Sequence, residues 1–460
     1  MRHPSACTQC RVRKLRCHSG PACGTCQRCR DQGTSCSLAK KQRLTGNTIA
    51  IASAADNVPQ QVKEGCLRLS EASLAKLVES YLRFIHDRPH SIFHRQSLWG
   101  MIEQKTMLAQ LLYSICSLGA HVCPDPKRRS YKTILAKHAK RLLWADVENV
   151  CLENIQTCIL LANIAAAGQD PSSEVLFFGV ANRMAQLARI DVPQPQDGLL
   201  VREVKCRIWW SLIMTDHWCS HGMGIPRQLD NSRSTVPLPV GEMMFQKMTH
   251  EMNVMRMDSD SAAEIWAYKT TLVRLLGPIH DLNRGIVEES VKATDWLDTL
   301  HRLSEQLENW RTTLPEELQL TNSNLEAHQK QGLGGKFVAL HLGYHHYASL
   351  LYFQCLGTQT DFSADTREYA AKCRHHAISY SELLLLSRRR ADCEAIYATV
   401  GHMTVMSSCV LLHHLLFGSE SELRTTREHL TSNFEALIEL KEYWPSLEKS
   451  VSTSYTLFCS

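Results

Sequence analysis

The stretch Cys7-Thr8-Gln9-Cys10-Arg11-Val12-Arg13-Lys14-Leu15-Arg16-Cys17 is followed by Cys26-Gln27-Arg28-Cys29 and Cys36, so six cysteines fall at spacings of two, six, eight, two and six residues. Two thiolates separated by two residues can grip one metal ion from a single turn, because tetrahedral zinc at about 2.3 Å needs short, closed chelate loops. The pattern occurs twice and carries no histidine at ligand spacing. Two separate tetrahedra need about eight bonds, so six sulfurs complete both only if two of them bridge. The count therefore points to a pair of zinc ions sharing thiolates, with Cys7, Cys10, Cys17, Cys26, Cys29 and Cys36 as ligands. Cys23 is the ambiguity. Reading it with Cys26 as the second pair leaves nine residues before Cys36, and Cys23 stays open as an alternative ligand or a spare thiol. All-thiolate sites are coordinatively closed and leave no position for an activated water, which argues against catalysis at this zinc.

Four cations stand between the second and third cysteines: Arg11, Arg13, Lys14 and Arg16. Charge is uneven along the 460 residues. Residues 1–45 hold ten Lys or Arg against the single acid Asp31, a balance of +9, whereas the whole chain is +5, leaving −4 for the remainder. The basic charge is thus an N-terminal device suited to a polyanion. Lys40, Lys41 and Arg43 extend it and form a short cluster compatible with nuclear import. The twelve cysteines after Cys36 are scattered without paired spacing, and in a reducing compartment they read as small buried apolar residues. There is no apolar leader and no uninterrupted apolar run long enough to span a bilayer, so neither secretion nor a membrane partner is expected.

The first aromatic residue is Tyr81. A segment of this size without aromatics cannot bury enough apolar surface to fold unaided, so metal must supply the folding free energy, roughly 10–16 kcal/mol per structural zinc. Residues 37–66 are small, polar and non-periodic, with Gly46 and Pro59 as breakers. The chain thus divides into a zinc domain with its basic tail over 1–45, a linker over 46–69 and a helical domain over 70–460. Beyond Ser70, Leu74, Leu77, Val78, Tyr81, Leu82 and Ile85 recur at three- and four-residue spacing, the mark of an amphipathic helix. Further helices are predicted over 100–121, 131–147, 150–168, 172–190, 199–221, 262–276, 288–313, 336–356, 366–388 and 391–417. Residues 418–449 read as one more core helix. Strand-like alternation is almost absent, and the fold class is all-α.

The cysteine frame with its basic run resembles the fungal binuclear zinc cluster family of transcription factors, whose pattern is Cys-x2-Cys-x6-Cys, a loop, and Cys-x2-Cys-x6-Cys. Two further stretches resemble the regulatory middle region found with that cluster. One is an opening motif, Phe84-Ile85-His86 through Pro89, Phe93 and His94. The other is a central signature, Glu203-Val204-Lys205-Cys206-Arg207-Ile208-Trp209-Trp210, then Asp216-His217-Trp218 and Gly222-Met223-Gly224-Ile225-Pro226. His217 stands where the family most often has arginine, and Trp310 through Leu314-Pro315 fits a weaker element. The resemblance implies a sequence-specific, nuclear, DNA-binding transcription factor. In it Lys14 reads base edges of a CGG-like triplet, Arg13 is a second reader or a phosphate contact, and Arg11, Arg16, Lys40, Lys41 and Arg43 bind phosphate. It implies two zinc ions as cofactors, double-stranded DNA and the transcription machinery or co-regulators as partners, and a helical domain that regulates output or senses a ligand. No heptad repeat occupies 37–66, so the chain binds either as a monomer or as a homodimer formed through the helical domain.

Two other classes compete with this reading: a non-DNA interaction scaffold with a structural zinc module, and a helical ligand-binding protein or enzyme with an accessory one. Enzyme signatures fail on inspection. Gly332-Leu333-Gly334-Gly335-Lys336-Phe337 lacks the earlier glycine and the Ser/Thr of a phosphate-binding loop, and no glutamate follows His341 as a metalloprotease helix requires. His345-His346, His375-His376 and His413-His414 read as core or helix-surface residues. Arg207 and Asp216 read as a buried ion pair that supports the fold, with an effector contact as the alternative. Trp296, Leu300, Leu303, Leu307 and Trp310 step by four and three, too briefly for a coiled coil, and read as ordinary core.

Overall fold

The computed structural model describes residues 69–88, 90–229, 236–251, 265–290, 293–357, 364–418, 420 and 422–448. The cysteine frame, the basic run and the linker up to residue 68 lie outside these residues. The chain divides into two compact units, Met1–Ser70 and Glu71–Ser460, and the helices belong to the second.

The described residues form α-helices joined by short connections, with no named strand among them. In order these are α1 (Glu71–Phe84), α2 (Arg95–Glu103), α3 (Ala109–Val122), α4 (Pro126–Arg129), α5 (Lys132–Ala145), α6 (Leu152–Ala167), α7 (Pro171–Leu187) and α8 (Leu199–Met223). Then come α9 (Glu242–Lys247), α10 (Ile265–Val287), α11 (Ala293–Thr312), α12 (Asn322–Lys330), α13 (Gly334–Tyr352), α14 (Ala364–Arg388), α15 (Ala398–Phe417) and α16 (Leu423–Tyr443). Helices α1, α3, α5, α6, α7 and α8 pack in one group and α10 to α16 in another, with α8 against α10 and α6 against α15 joining them.

Several helix ends follow from local chemistry. Asp170 caps α7 by accepting from the Ser173 N–H at 3.0 Å, with Pro171 in the first turn where its missing N–H costs nothing. Asp125 caps α4 and Thr321 caps α12 in the same way. The signature run Gly222-Met223-Gly224-Ile225-Pro226 is a helix stop: Gly224 takes φ +63°, and the Ile225 N–H reaches back to the Ser220 carbonyl at 3.0 Å. Where α3 crosses α1 the backbones touch, since a Cβ at Gly119 would collide with the Leu77 carbonyl oxygen.

The all-α expectation is borne out, with four differences in layout. Residues 100–121 are not one helix but the end of α2 and most of α3, interrupted where Lys105 takes φ 56°. The helix expected to stop at residue 276 runs through Gly277 and Pro278 to Val287. An internal proline costs about 3 kcal/mol, but Leu276, Ile279, His280 and Leu282 are all buried around it, and each large apolar side chain removed from water returns about 1.5–3 kcal/mol. The segment expected to be helical from 391 begins only at Ala398, after Asp392 at φ 60°. The short helices α9 and α12 carry no periodic signal long enough to register.

Leu300, Leu303, Leu307 and Trp310 are core residues of α11, and the Trp310 indole donates to Thr271 Oγ1 at 2.9 Å. Among the described residues, α15 has the length and apolar composition of a membrane span. It is instead a core helix: Val400, Met403, Val410 and Leu411 are buried, and it packs on α14 and α16.

Candidate functional site: the buried charge network of the central signature

The predicted zinc ligands Cys7, Cys10, Cys17, Cys26, Cys29 and Cys36, the alternative Cys23, and the predicted DNA contacts Arg11, Arg13, Lys14, Arg16, Lys40, Lys41 and Arg43 all lie outside the described residues. What the structure brings together is the chemistry of the opening motif and the central signature.

Glu203 and Arg207 sit one turn apart on α8 and therefore share a face. The Arg207 side chain is 1 % exposed. Its Nε donates to Glu203 Oε1 at 2.6 Å, one terminal nitrogen to Ser91 Oγ at 2.9 Å and the other to the Val240 carbonyl at 2.6 Å. The guanidinium also lies 4.1 Å from the Phe245 ring centre. Glu203 Oε1 accepts a further bond from the Val240 N–H at 3.1 Å. Burial pushes the Glu203 carboxyl up, and Arg207 opposes that.

Ser91 passes the network on to the opening motif, its hydroxyl donating to Asp87 Oδ1 at 2.6 Å. Asp87 holds φ 64° in a tight loop where its N–H donates to the His90 carbonyl at 2.7 Å. Its other oxygen meets His86 Nδ1 at 3.2 Å and Lys336 Nζ, from α13, at 2.8 Å. His86 Nε2 accepts from the Phe93 N–H at 3.3 Å, which leaves Nδ1 to carry the proton facing Asp87. Burial alone would raise the Asp87 carboxyl, but His86, Lys336 and Arg207 together hold it well below the usual range. Lys269 of α10 donates to the Arg88 carbonyl, and Glu242 of α9 accepts the Trp266 N–H at 2.9 Å. Bonds made by these charged groups thus tie the 85–94 loop to α8, α10 and α13, and α9 to α10.

The expected Arg207–Asp216 ion pair is not formed. Nine residues at about 100° each place the two side chains on opposite faces of α8. Asp216 instead accepts the Gln228 and Leu229 N–H groups at 2.8 and 2.9 Å and the Asn182 amide at 3.2 Å, pinning the chain after α8 to α7. Sequence reasoning misses Glu203 as the partner, although its i, i+4 spacing is the available signal. The structural role assigned to both residues is what the geometry shows.

Lys336 of the glycine-rich run is committed to Asp87. His341 Nε2 meets the Leu318 carbonyl at 3.0 Å, and His345 Nδ1 meets His376 Nδ1 at 3.0 Å. Among the described residues, no group of three or more His, Cys, Asp or Glu has metal-holding geometry. A surface groove of about 550 Å³ between α11 and α14 is lined by His301, Ser304, Glu308, Glu368, Tyr369 and Lys372. Its ionisable groups are paired: Lys372 with Glu368 at 2.8 Å and Glu308 with Arg311.

The network predicts its own fragility. Arg207→Ala leaves Glu203 buried without its cation, and removing one partner of a buried pair costs about 3–5 kcal/mol. Chemical denaturation of the full chain should show that loss. A change below about 1 kcal/mol would mean that the network carries no net stability.

Residues 78–312, just over half of the chain, match the family described as Fungal specific transcription factor domain. An uncharacterized transcriptional regulatory protein of Schizosaccharomyces pombe is 23% identical over 310 residues, 59% of this chain and 31% of the relative. A second from that organism is 20% identical over 430 residues, 81% of this chain and 50% of the relative. A Zn(2)-C6 fungal-type transcription factor of Fusarium oxysporum f. sp. lycopersici is 23% identical over 411 residues, 80% of this chain and 43% of the relative. The chain spans half or less of the length of these relatives, and their names are those of transcription regulators, not of enzymes. The match takes in the opening motif, the central signature and the whole of α8, and the chain belongs to the family of fungal transcription factors that carry this domain.

Proposed function

We propose that the chain is a nuclear, sequence-specific DNA-binding regulator of transcription. In this reading residues 1–45 fold around two zinc ions held by Cys7, Cys10, Cys17, Cys26, Cys29 and Cys36, and residues 70–460 are the regulatory domain. The observation that carries it is the six-cysteine frame with four cations between its second and third ligands, standing N-terminal to a fungal transcription factor domain. The Zn(2)-C6 name of a relative supports the same assignment. Lys14 reads guanine O6 and N7 in the major groove; Arg13, Arg11, Arg16, Lys40, Lys41 and Arg43 supply base or phosphate contacts. Phosphate contacts of this number make affinity fall steeply with salt. The regulatory domain leaves two assemblies to be told apart, a monomer reading one triplet and a homodimer reading two at fixed spacing.

Selection from random duplex DNA, with zinc at moderate salt, tests the reading on the full chain and on residues 1–66. Enrichment of guanine-rich triplets is expected, paired at fixed spacing if the helical domain dimerises. No enrichment from either would favour an interaction scaffold. Lys14→Ala should then lose about 1–3 kcal/mol of discrimination for the selected triplet while keeping most non-specific affinity. Equal weakening on all sequences would make Lys14 a phosphate contact.

A further inference from the structure

The run Gly332-Leu333-Gly334-Gly335-Lys336 is no phosphate-binding loop by pattern, yet it opens the 19-residue helix α13 in an unusual electrical setting. Leu333 offers no side-chain cap, and Gly334 and Gly335 are both buried. Four N–H groups at the start of a helix lack intrahelical partners and present a partial positive charge. At this turn stand the Lys336 ammonium, paired with Asp87, and the Arg88 guanidinium. The Arg88 guanidinium lies flat against Gly335, where an added Cβ would come 2.8 Å from Nε and 2.9 Å from Cζ. Arg88 is 7 % exposed, its Nε has no hydrogen-bond partner, and its one side-chain bond goes to the Arg83 carbonyl.

Among the described residues no carboxylate lies within 4.0 Å of the Arg88 guanidinium. The neighbouring acids are committed or held off. Asp87 serves His86, Lys336 and Ser91, and Asp392 serves Arg83 at 3.0 Å. Glu394 stands near enough to act on Arg88 electrostatically, but its Oε2 is buried without a hydrogen-bond partner. Lys269 adds a second cation, its ammonium on the Arg88 carbonyl. Burial pulls that ammonium down to about 7; Asp87 and Glu242 oppose the shift and Arg88 adds to it. A buried guanidinium with no carboxylate within 4.0 Å thus meets the positive end of a long helix, and Lys269 stands on the carbonyl of the same arginine.

We propose that the first turn of α13, with Arg88 against it, is a binding site for a small oxyanion, the phosphoryl or carboxylate group of a metabolite-sized effector. Arg88 offers a planar donor pair that fits such a group, the glycine N–H groups approach it without a Cβ in the way, and the helix end supplies a fixed field. Its residues all belong to the helical unit, so it does not depend on how residues 1–45 are assigned.

The test uses the full chain with inorganic phosphate as probe, chloride balancing the ionic strength at constant pH, and acetate as a parallel arm. Phosphate should raise the thermal midpoint saturably, by about 2 °C at ten times its dissociation constant. A response to acetate at matching concentrations assigns a carboxylate ligand, and a response to phosphate alone a phosphoryl one. Arg88→Gln should remove the saturable rise. Phosphate held by the N-terminal cations survives that change, so only the lost increment counts. Glu394→Gln removes an acid that acts on Arg88 without being bonded to it and should lower half-saturation about threefold or more. A phosphate response no larger than that of chloride overturns the proposal, as does one unchanged by Arg88→Gln. Should that variant fail to fold, an unchanged half-saturation in Glu394→Gln overturns it equally.

Discussion

Lowering the pH from 7 to 5 is expected to unfold the helical domain, well before its carboxylates are protonated. Four imidazoles, each no more than 7 % exposed, are responsible: His90, His121, His217 and His341. Burial pushes His90 down to about 3 and the other three to about 4. An unfolded histidine titrates near 6.5. Below that pH the unfolded chain takes up protons that the folded chain refuses, so stability present above 6.5 is lost as the pH falls toward the folded values. At pH 5 each such group costs about 2 kcal/mol. Four of them cost about 8 kcal/mol, within the 5–15 kcal/mol that is a domain's entire stability. Burial raises the Glu203 and Asp216 carboxyls, which works the other way, but Arg207 and backbone N–H donors oppose that rise. Far-UV circular dichroism against pH should show a midpoint between about 6 and 5. A midpoint below 4 would mean that these imidazoles charge without opening the domain.

Cys10→Ser is expected to abolish DNA binding altogether. In the proposed cluster Cys10 is one of six thiolates, and a segment with no aromatic residue has only metal coordination, roughly 10–16 kcal/mol per zinc, to offset its ordering entropy. The substitution should release zinc, erase the DNA shift at every sequence, and leave the thermal unfolding of the helical unit, Glu71–Ser460, in place. Zinc content measured on the variant decides it: two ions retained would strike Cys10 from the ligand set. The parallel variant Cys23→Ser should keep both ions, and loss of one would shift the frame to Cys23.

Much of the helical layout is legible in the sequence because amphipathic periodicity is local. Leu77, Val78, Tyr81 and Leu82 are buried as their spacing implies, and the Asp170-Pro171 start of α7 is where cap chemistry puts it. What escapes a sequence reading is decided by tertiary packing. Pro278 looks like a terminator until Leu276, Ile279 and Leu282 are seen to be buried on either side of it. Two charges in one signature, Arg207 and Asp216, invite reading as a pair, whereas helix geometry favours the acid one turn away. Arg88 is silent in the sequence, since nothing in its neighbours announces that it packs against Gly335. The proposed zinc and DNA residues are legible as a pattern, and they lie outside the described residues.

The contact of Gly119 with the Leu77 carbonyl has a use beyond stability. At about one identity in five, alignments between this chain and its relatives can slide by a helical turn without an obvious penalty. A backbone-to-backbone crossing cannot slide, because at residue 119 any side chain would force α1 and α3 apart. A relative that packs these two helices in the same way must place a glycine opposite the residue corresponding to Leu77. That single pairing supplies a fixed reference point for setting the register of the whole N-terminal half of the domain.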